Sequence, residues 1–523
     1  MVVIGAGIGG GLAARRLTEL GLNVLIIEKG KDFGDTRSNL PDGSASSPAA
    51  RLEQGLWPEP LKGIVDGREL ALEGVIGTGV GGTSLRYAAT LERPEPHDLD
   101  DCPERPHPTQ GWPVSYAEYA PYFDMAERYF CITGTPDPLA RDKTPVSMKQ
   151  RALASSEARF MRDLRSAGLN PYQTHMAALF LPDCESCFGR RCAKRCKMDG
   201  RTAGVLPAVQ SGRAAVLDEC TVLSINADDH VKSIKVCKDG KEFVLKARAY
   251  LLSAGGLGSP SLLLRSKNEV WPTGLGNRYG LVGRNLMFHL SEILAVWPKG
   301  RTGRARQAER SVSFRDLYHR DDLRLGLVQS MGLTARYGEI MYAAQIRLAS
   351  SAFRNVPFAR SVLRLPVYLA SSIMGAAHLF VGILEDLPSL ENRVLMRSVN
   401  SDSLDFQYSI GEELHDRRRH FRQAMYKAFP GHSRMFMSHQ PQLNYAHPCG
   451  TVRFGIDPRT SVLDPSCRVR GIDNLFVVDS SFMPTSNGVN PSLMIGANAL
   501  RVAEAVASSV RGYSAPRYRN HGL

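Results

Sequence analysis

Two groups of residues in this 523-residue chain carry chemistry by type and spacing. Near the start, Gly5-Ala6-Gly7-Ile8-Gly9-Gly10 places glycines where side chains would hold a phosphate away. Gly5 permits a tight turn, Gly7 lets the backbone approach a pyrophosphate, and Gly10 allows a helix to pack closely. Glu28 follows at the position of a ribose-binding acid, which favours a free 2′-hydroxyl and so NAD or FAD over NADP. The second group is Cys184, Cys187, Cys192 and Cys196, spaced C-x2-C-x4-C-x3-C among Arg190, Arg191, Lys194 and Arg195. Four thiolates this close can hold a tetrahedral zinc or an iron-sulfur cluster, and basic neighbours lower the thiol pKa values and offset cluster charge. Two separated C-x2-C knuckles would suit zinc better. A disulfide, or thiols without redox function, is the remaining reading.

These groups need elements to hold them. Val2-Val3-Ile4 reads as a buried strand, 12–20 as a helix and 23–27 as a second strand, so the glycines and Glu28 fall on a βαβ unit with phosphates at the helix N-terminus. Residues 248–252 read as another buried strand ending in small residues, as beside a nucleotide. Residues 365–384 carry no formal charge and are long enough to span a bilayer, but Pro366, Gly375, His378 and Gly382 interrupt them. We expect a helix followed by a core strand there. Arg347, Arg354, Arg360 and Arg364 precede this stretch in a pattern compatible with contact to an acidic membrane surface.

With 43% hydrophobic and 22% charged residues the chain is a large globular protein, neither disordered nor a small disulfide scaffold. The net charge of +13 is scattered apart from 190–197 and 417–419, and no helix-turn-helix, zinc-finger or RNA-binding signature accompanies it. Nucleic acid is not an expected partner. A strand at residue 2 leaves no room for a signal peptide, so the expected location is cytoplasmic, or peripheral at the inner membrane surface.

Further motifs follow in order. They are Gly77-Thr78-Gly79-Val80-Gly81-Gly82-Thr83-Ser84, Gly111-Trp112-Pro113-Val114-Ser115-Tyr116, His447-Pro448-Cys449-Gly450-Thr451, Asp479-Ser480-Ser481 and Asn490-Pro491. Leu251 to Gly256 before Ser259-Pro260, Val282 to Asn285 before His289, and Glu385-Asp386 before Asn392-Arg393-Val394 complete the set. Together they resemble the glucose-methanol-choline oxidoreductase family, flavoenzymes that oxidise alcohols, over nearly the whole chain. The resemblance implies an α/β fold with a Rossmann-like FAD domain assembled from discontinuous segments, 1–135, 200–290 and 447–523. It implies a substrate domain on an antiparallel sheet from 136–199 and 291–446, with the cysteine-rich segment 184–196.

The same resemblance assigns roles. His447 is the base for the hydroxyl proton, a task suited to imidazole, and Asn490 the member of the pair that bonds the substrate oxygen. Gly79, Gly81, Gly82 and Ser84 approach the isoalloxazine and pyrophosphate, and Asp479 contacts the ribityl or phosphate region. Pro491 and Ser492 open a helix aimed at flavin N1 and the C2 carbonyl. Arg86 stands where some members carry the histidine that links FAD covalently, which implies non-covalent FAD. The C-x4-C-x3-C part is similar to members that hold a three-iron four-sulfur cluster and pass electrons onward. The expected reaction is hydride transfer from an alcohol, a sugar or polyol, to flavin N5, with electrons passed to a redox protein, a quinone or another non-NAD acceptor. Alternatives are an oxidase using oxygen on a steroid or long-chain alcohol, a hydroxynitrile-type lyase, and a non-catalytic electron-transfer flavoprotein.

Overall fold

The computed structural model describes residues 1–36, 47–141, 152–182, 184–299, 310–320, 322–334, 362–375, 377–396 and 402–512, with Met341 and Ala344 singly. Strands Val2–Ile4 and Val24–Ile27 pair in parallel around the helix Ile8–Glu19, so the βαβ unit forms where the apolar runs and glycines place it. The full sheet runs Leu475–Val477, Tyr250–Leu252, Val2–Ile4, Val24–Ile27, Ala214–Leu217, every pair parallel. Its three central strands lack a polar residue other than the Tyr250 hydroxyl, as parallel strands inside a protein do.

Helix Ser492–Gly512 packs on Ile8–Glu19 and on Tyr116–Tyr129. Among the described helices it alone is long and apolar enough to cross a membrane, yet Leu493, Met494, Ala497, Leu500 and Ala503 are buried in the nucleotide-side core. The motif at Gly111 starts Tyr116–Tyr129. Ser115 accepts from the Glu118 N–H and Glu118 accepts from that of Ser115, a capping box, while Trp112 donates to Thr485 at 3.1 Å.

The second sheet is antiparallel: Ser433–Phe436, Met287–Trp297, His378–Leu384, Gly326–Thr334, Val312–Phe314 and Tyr172–Gln173, with Leu443–Cys449 also paired to Met287–Trp297. Phe288, Leu290, Leu294, Phe380 and Leu384 build a separate core there, covered by Glu412–Lys427 through Phe421 and Met425. The apolar stretch resolves into helix Arg364–Met374 and strand His378–Leu384, so it does not span. Arg347, Arg354 and Arg360 lie outside the described residues; Arg364 is exposed at the first turn of that helix.

Two segments sit differently from the expected division. The hairpin Leu61–Val65 and Arg68–Leu72 pairs with Asp405–Tyr408, and Leu61 joins the antiparallel-side core, although its chain neighbours hold the nucleotide side. Met176, Ala177, Phe188 and Met198 pack with the nucleotide-side core, so the cysteine-rich segment leans on the cofactor half.

Candidate active site

The glycine loop at residues 5–10 and the one at 79–82 meet. Gly5 has φ +101°, a left-handed conformation that glycine alone adopts easily, and a Cβ on Gly10 would lie 2.0 Å from the Gly5 oxygen. A Cβ on Gly7 would meet nothing within 4 Å, so this backbone faces open space. The Gly81 N–H donates to the Ala6 oxygen at 2.9 Å, which binds the second loop to the first. Gly79, Gly81 and Gly82 all have positive φ.

Glu28 is the clasp between the loops. Its Oε2 accepts from the Ala6 N–H at 2.9 Å, and its Oε1 accepts from Gly30 at 2.9 Å and Gly79 at 3.1 Å. Burial pushes this carboxyl up from the usual glutamate value and the three N–H donors oppose that. One lone pair of Oε2 stays open for a ribose hydroxyl. Ser84 donates to the Gly81 oxygen at 2.6 Å and accepts from the Gly200 N–H at 2.9 Å, so its hydroxyl closes the cradle.

Asp479 ends the strand Leu475–Val477. Its Oδ2 accepts from the Gly255 N–H at 2.9 Å and the Ser259 hydroxyl, and its Oδ1 from the Ser481 N–H at 2.9 Å and hydroxyl at 2.5 Å. All four acceptor positions are filled by protein. Its part beside a flavin is therefore to fix the backbone at Gly255 and Ser481. Arg86 donates to the Gln54 carbonyl.

The chemical centre forms where Leu443–Cys449 pairs with Met287–Trp297. Met287 faces Cys449 and His289 faces Asn444, so 445–448 bulge out of the ladder and carry His447 across from His289. Bulges often re-aim side chains beside active sites. The two Nδ1 atoms lie 3.1 Å apart with the rings edge to face at 86°. His289 Nε2 is 2.9 Å from the Asn487 carbonyl. Burial holds His289 down at about 4, and packing plus the adjacent His289 hold His447 well below the ordinary imidazole value. Both rings are neutral at neutral pH.

The Asn487 carbonyl ties this pair to the loop that carries Asn490. Residues 475–489 are all buried; Asn490 is the first that is not, and His447 is likewise half-exposed. Asn490 Oδ1 is buried with no hydrogen-bond partner among the described residues, as is Asn487 Nδ2. Unpaired buried amide atoms are costly, and these two lie on the loop that His289 contacts. Pro491 precedes helix Ser492–Gly512, and the Ile495 N–H donates to its carbonyl at 3.0 Å. The sequence assigns no role to His289; its signal is a histidine between the buried apolar residues Phe288 and Leu290 of one strand.

The cysteines of the 184–196 segment come together. Cys196 Sγ lies 3.2 Å from Cys192 Sγ and 3.6 Å from Cys184 Sγ, in direct sulfur contact, and all four cysteines are free. Sulfurs around a tetrahedral zinc stand about 3.8 Å apart for a metal bond of about 2.3 Å. Those of an iron-sulfur cluster are separated further by irons and bridging sulfides. Among the described residues no group of three or more His, Cys, Asp or Glu is arranged as metal ligands, so the structure gives no support to the expected zinc or iron-sulfur centre at Cys184, Cys187, Cys192 and Cys196. Lys197 fills the segment's interior, donating to the carbonyls of Leu85 and Arg190, both at 2.7 Å, and Cys187 at 3.3 Å.

A glycine cradle on a parallel sheet, together with a neutral imidazole on the strand pair that adjoins it, is the arrangement of a dinucleotide-dependent oxidoreductase. The chain belongs to the GMC oxidoreductase family, whose models match residues 26–291 and 388–499. It is thus an FAD-dependent oxidoreductase of the class that acts on CH–OH donors. It is 28% identical to the 6'''-hydroxyparomomycin C oxidase of Streptomyces lividus, over 97% of this chain and 91% of that protein. It is 24% identical to the fructose dehydrogenase large subunit of Gluconobacter japonicus, over 98% of both chains. Its fold matches pyridoxine 4-oxidase from Mesorbium loti with a TM-score of 0.60 at 20% identity, over 98% of this chain and 99% of that one.

Proposed function

We propose that this protein oxidises a CH–OH group of a sugar or polyol, with His447 as the base, Asn490 as the orienting amide and FAD bound non-covalently. The observation that carries the reading is the neutral imidazole of His447 held by His289, which in turn contacts the Asn487 carbonyl three residues before the unpartnered side-chain oxygen of Asn490. The bound flavin supplies a two-electron acceptor for the hydrogen that leaves the substrate carbon. Everything else falls to the chain. His447 takes the hydroxyl proton, and a general base so placed contributes about 10² to 10⁴ in rate. Asn490 cannot take a proton; its Nδ2–H donates to the substrate oxygen, whose own hydrogen goes to His447, while Oδ1 accepts from another hydroxyl of the polyol. Glu28 and the two glycine loops keep the nucleotide in register, with the free Oε2 lone pair directed to a ribose hydroxyl. Arg86, engaged by the Gln54 carbonyl, offers no nucleophile for a covalent link.

The sugar assignment is supported by relatives named for paromomycin, paromamine and fructose. The electron acceptor in this reading is not NAD; a quinone or a redox protein receives the electrons. Anaerobic mixing with a panel of sugars, polyols and simple alcohols tests it. Loss of visible flavin absorbance with a sugar or polyol is expected, followed by recovery on adding a quinone analogue. His447→Ala is expected to retain FAD and lose turnover. A flavin that no alcohol bleaches, or full turnover without His447, would sink the reading, and rapid recovery with oxygen alone would make the enzyme an oxidase.

A further inference from the structure

We propose that His289 is a positioning residue that fixes the proton-accepting tautomer of His447, through a directed chain from His447 to His289 to the Asn487 carbonyl. The inference rests on the reading of His447 as the base and goes beyond it.

The chain has one direction because of its end. A carbonyl oxygen only accepts, so at 2.9 Å from it His289 Nε2 must carry a hydrogen and donate. His289 is fully buried and neutral, so its single proton is on Nε2 and its Nδ1 holds a lone pair. That lone pair, 3.1 Å from His447 Nδ1, makes His447 the donor. The one proton of neutral His447 is then on Nδ1 and the lone pair is on Nε2, away from His289. Without His289 the two tautomers of His447 compete, and the one protonated on Nε2 cannot accept a substrate proton there.

The same chain serves after proton uptake. When the alcohol O–H proton reaches His447 Nε2, the imidazolium keeps its Nδ1–H on the His289 lone pair, and the positive charge is spread over a hydrogen-bonded pair. The groups that face His289 from neighbouring elements are His447 on Leu443–Cys449, the backbone of Ser486, Asn487 and Val489, and Glu385 beyond the strand His378–Leu384; the backbone groups and the Glu385 charge favour the cation, and burial opposes it. A proton placed on His289 Nδ1 reverses the bond, because the donor is then His289. The His447 proton moves to Nε2 and the base is blocked. The acid limb of the pH–rate profile therefore belongs to the pair.

Three substitutions separate this from a packing role. The amide oxygen of His289→Asn overlays Nδ1 and preserves the acceptor, whereas His289→Gln overlays Nε2, preserving the donor to Asn487 and losing the acceptor. His289→Leu loses both. All are to be compared with His447→Ala in FAD content, KM, and kcat across pH 4 to 9. Loss of kcat by about tenfold to a hundredfold in the Gln and Leu variants is expected, the size of a general-base effect partly lost. KM and FAD content should hold, the Asn variant should recover most of the rate, and its acid limb should move to higher pH because the adverse His289 charge is gone. Equal rates for the Asn and Gln variants would overturn the proposal, and this comparison survives even where the Leu variant does not fold. If instead His447→Ala keeps its turnover, the functional reading itself has failed.

Discussion

Glu28 shows how one side chain can hold a cofactor site together before any cofactor binds. Its carboxylate receives backbone N–H groups from the two glycine loops, Ala6 and Gly79, and from Gly30 in its own turn. Glu28→Gln replaces one acceptor oxygen by an NH2 that faces N–H donors. Each buried N–H left without an acceptor costs about 1 to 3 kcal/mol. The expected outcome is a lower Tm and FAD that washes out on gel filtration, measured by thermal scan and by flavin content per chain; retention of full FAD at unchanged Tm would remove the clasp role. The sequence made Glu28 legible as a ribose ligand from its distance to the glycines, but not as a loop clasp, because the Gly79 N–H is a long-range neighbour. His447 and Asn490 were legible from motif resemblance. His289 was not assigned, because its role depends on a bulge that swings 445–448 toward it and on a carbonyl at Asn487, neither of which is a matter of spacing.

At the scale of elements, the strand His378–Leu384 ends on two acids that tie it to its surroundings. Asp386 accepts from the Phe288 N–H at 2.8 Å and the Tyr408 hydroxyl at 2.6 Å, and its own N–H donates to Ser486 at 2.8 Å. It thereby links the His289 strand, the Asp405–Tyr408 strand and the loop of Asn487. Burial raises its carboxyl to about 7, against an ordinary 3.8. A carboxyl raised on folding contributes stability fully below its unfolded value and loses it as pH rises through the folded one. Asp386→Asn stays neutral throughout. The Tm difference between Asp386→Asn and the parent should therefore shift in favour of Asn from pH 4 to pH 7 and be flat above. A difference independent of pH would show that Asp386 is ionised alike in both states. The βαβ element was legible because buried parallel strands are unbroken apolar runs. The pairing of the hairpin 61–72 was not legible, because its partner Asp405–Tyr408 lies far along the sequence. The four cysteines have a ligand-like spacing, and the contacts of Cys196 with Cys192 and Cys184, beside the buried Lys197, are a matter of the local fold that spacing does not specify.

Over the whole molecule, the two cores share backbone. Met287 packs in the nucleotide-side core while its neighbours Leu286 and Phe288, and Leu290 beyond them, pack in the other, so the start of the strand Met287–Trp297 shows one face to each core. Cys449 and Leu443, at opposite ends of its partner strand, divide in the same way. Chains above about 150 residues often unfold in stages. Here neither core can lose its packing without pulling on a strand pair that the other needs, so we expect one cooperative transition with flavin release and loss of antiparallel-sheet structure at the same temperature. Excess FAD supplies the discriminating measurement. A ligand present at about 1,000 times its Kd stabilises the state that binds it by about 4 kcal/mol. In a coupled molecule that shift moves the whole calorimetric peak, whereas in two independent units only the nucleotide half would move and a second peak would stay behind. Differential scanning calorimetry with and without added FAD, with flavin fluorescence followed on the same ramp, distinguishes them. A stationary second peak would mean that the shared strand does not transmit stability, and that the His447–His289 contact, which spans the same strand pair, must hold its geometry without help from the second core.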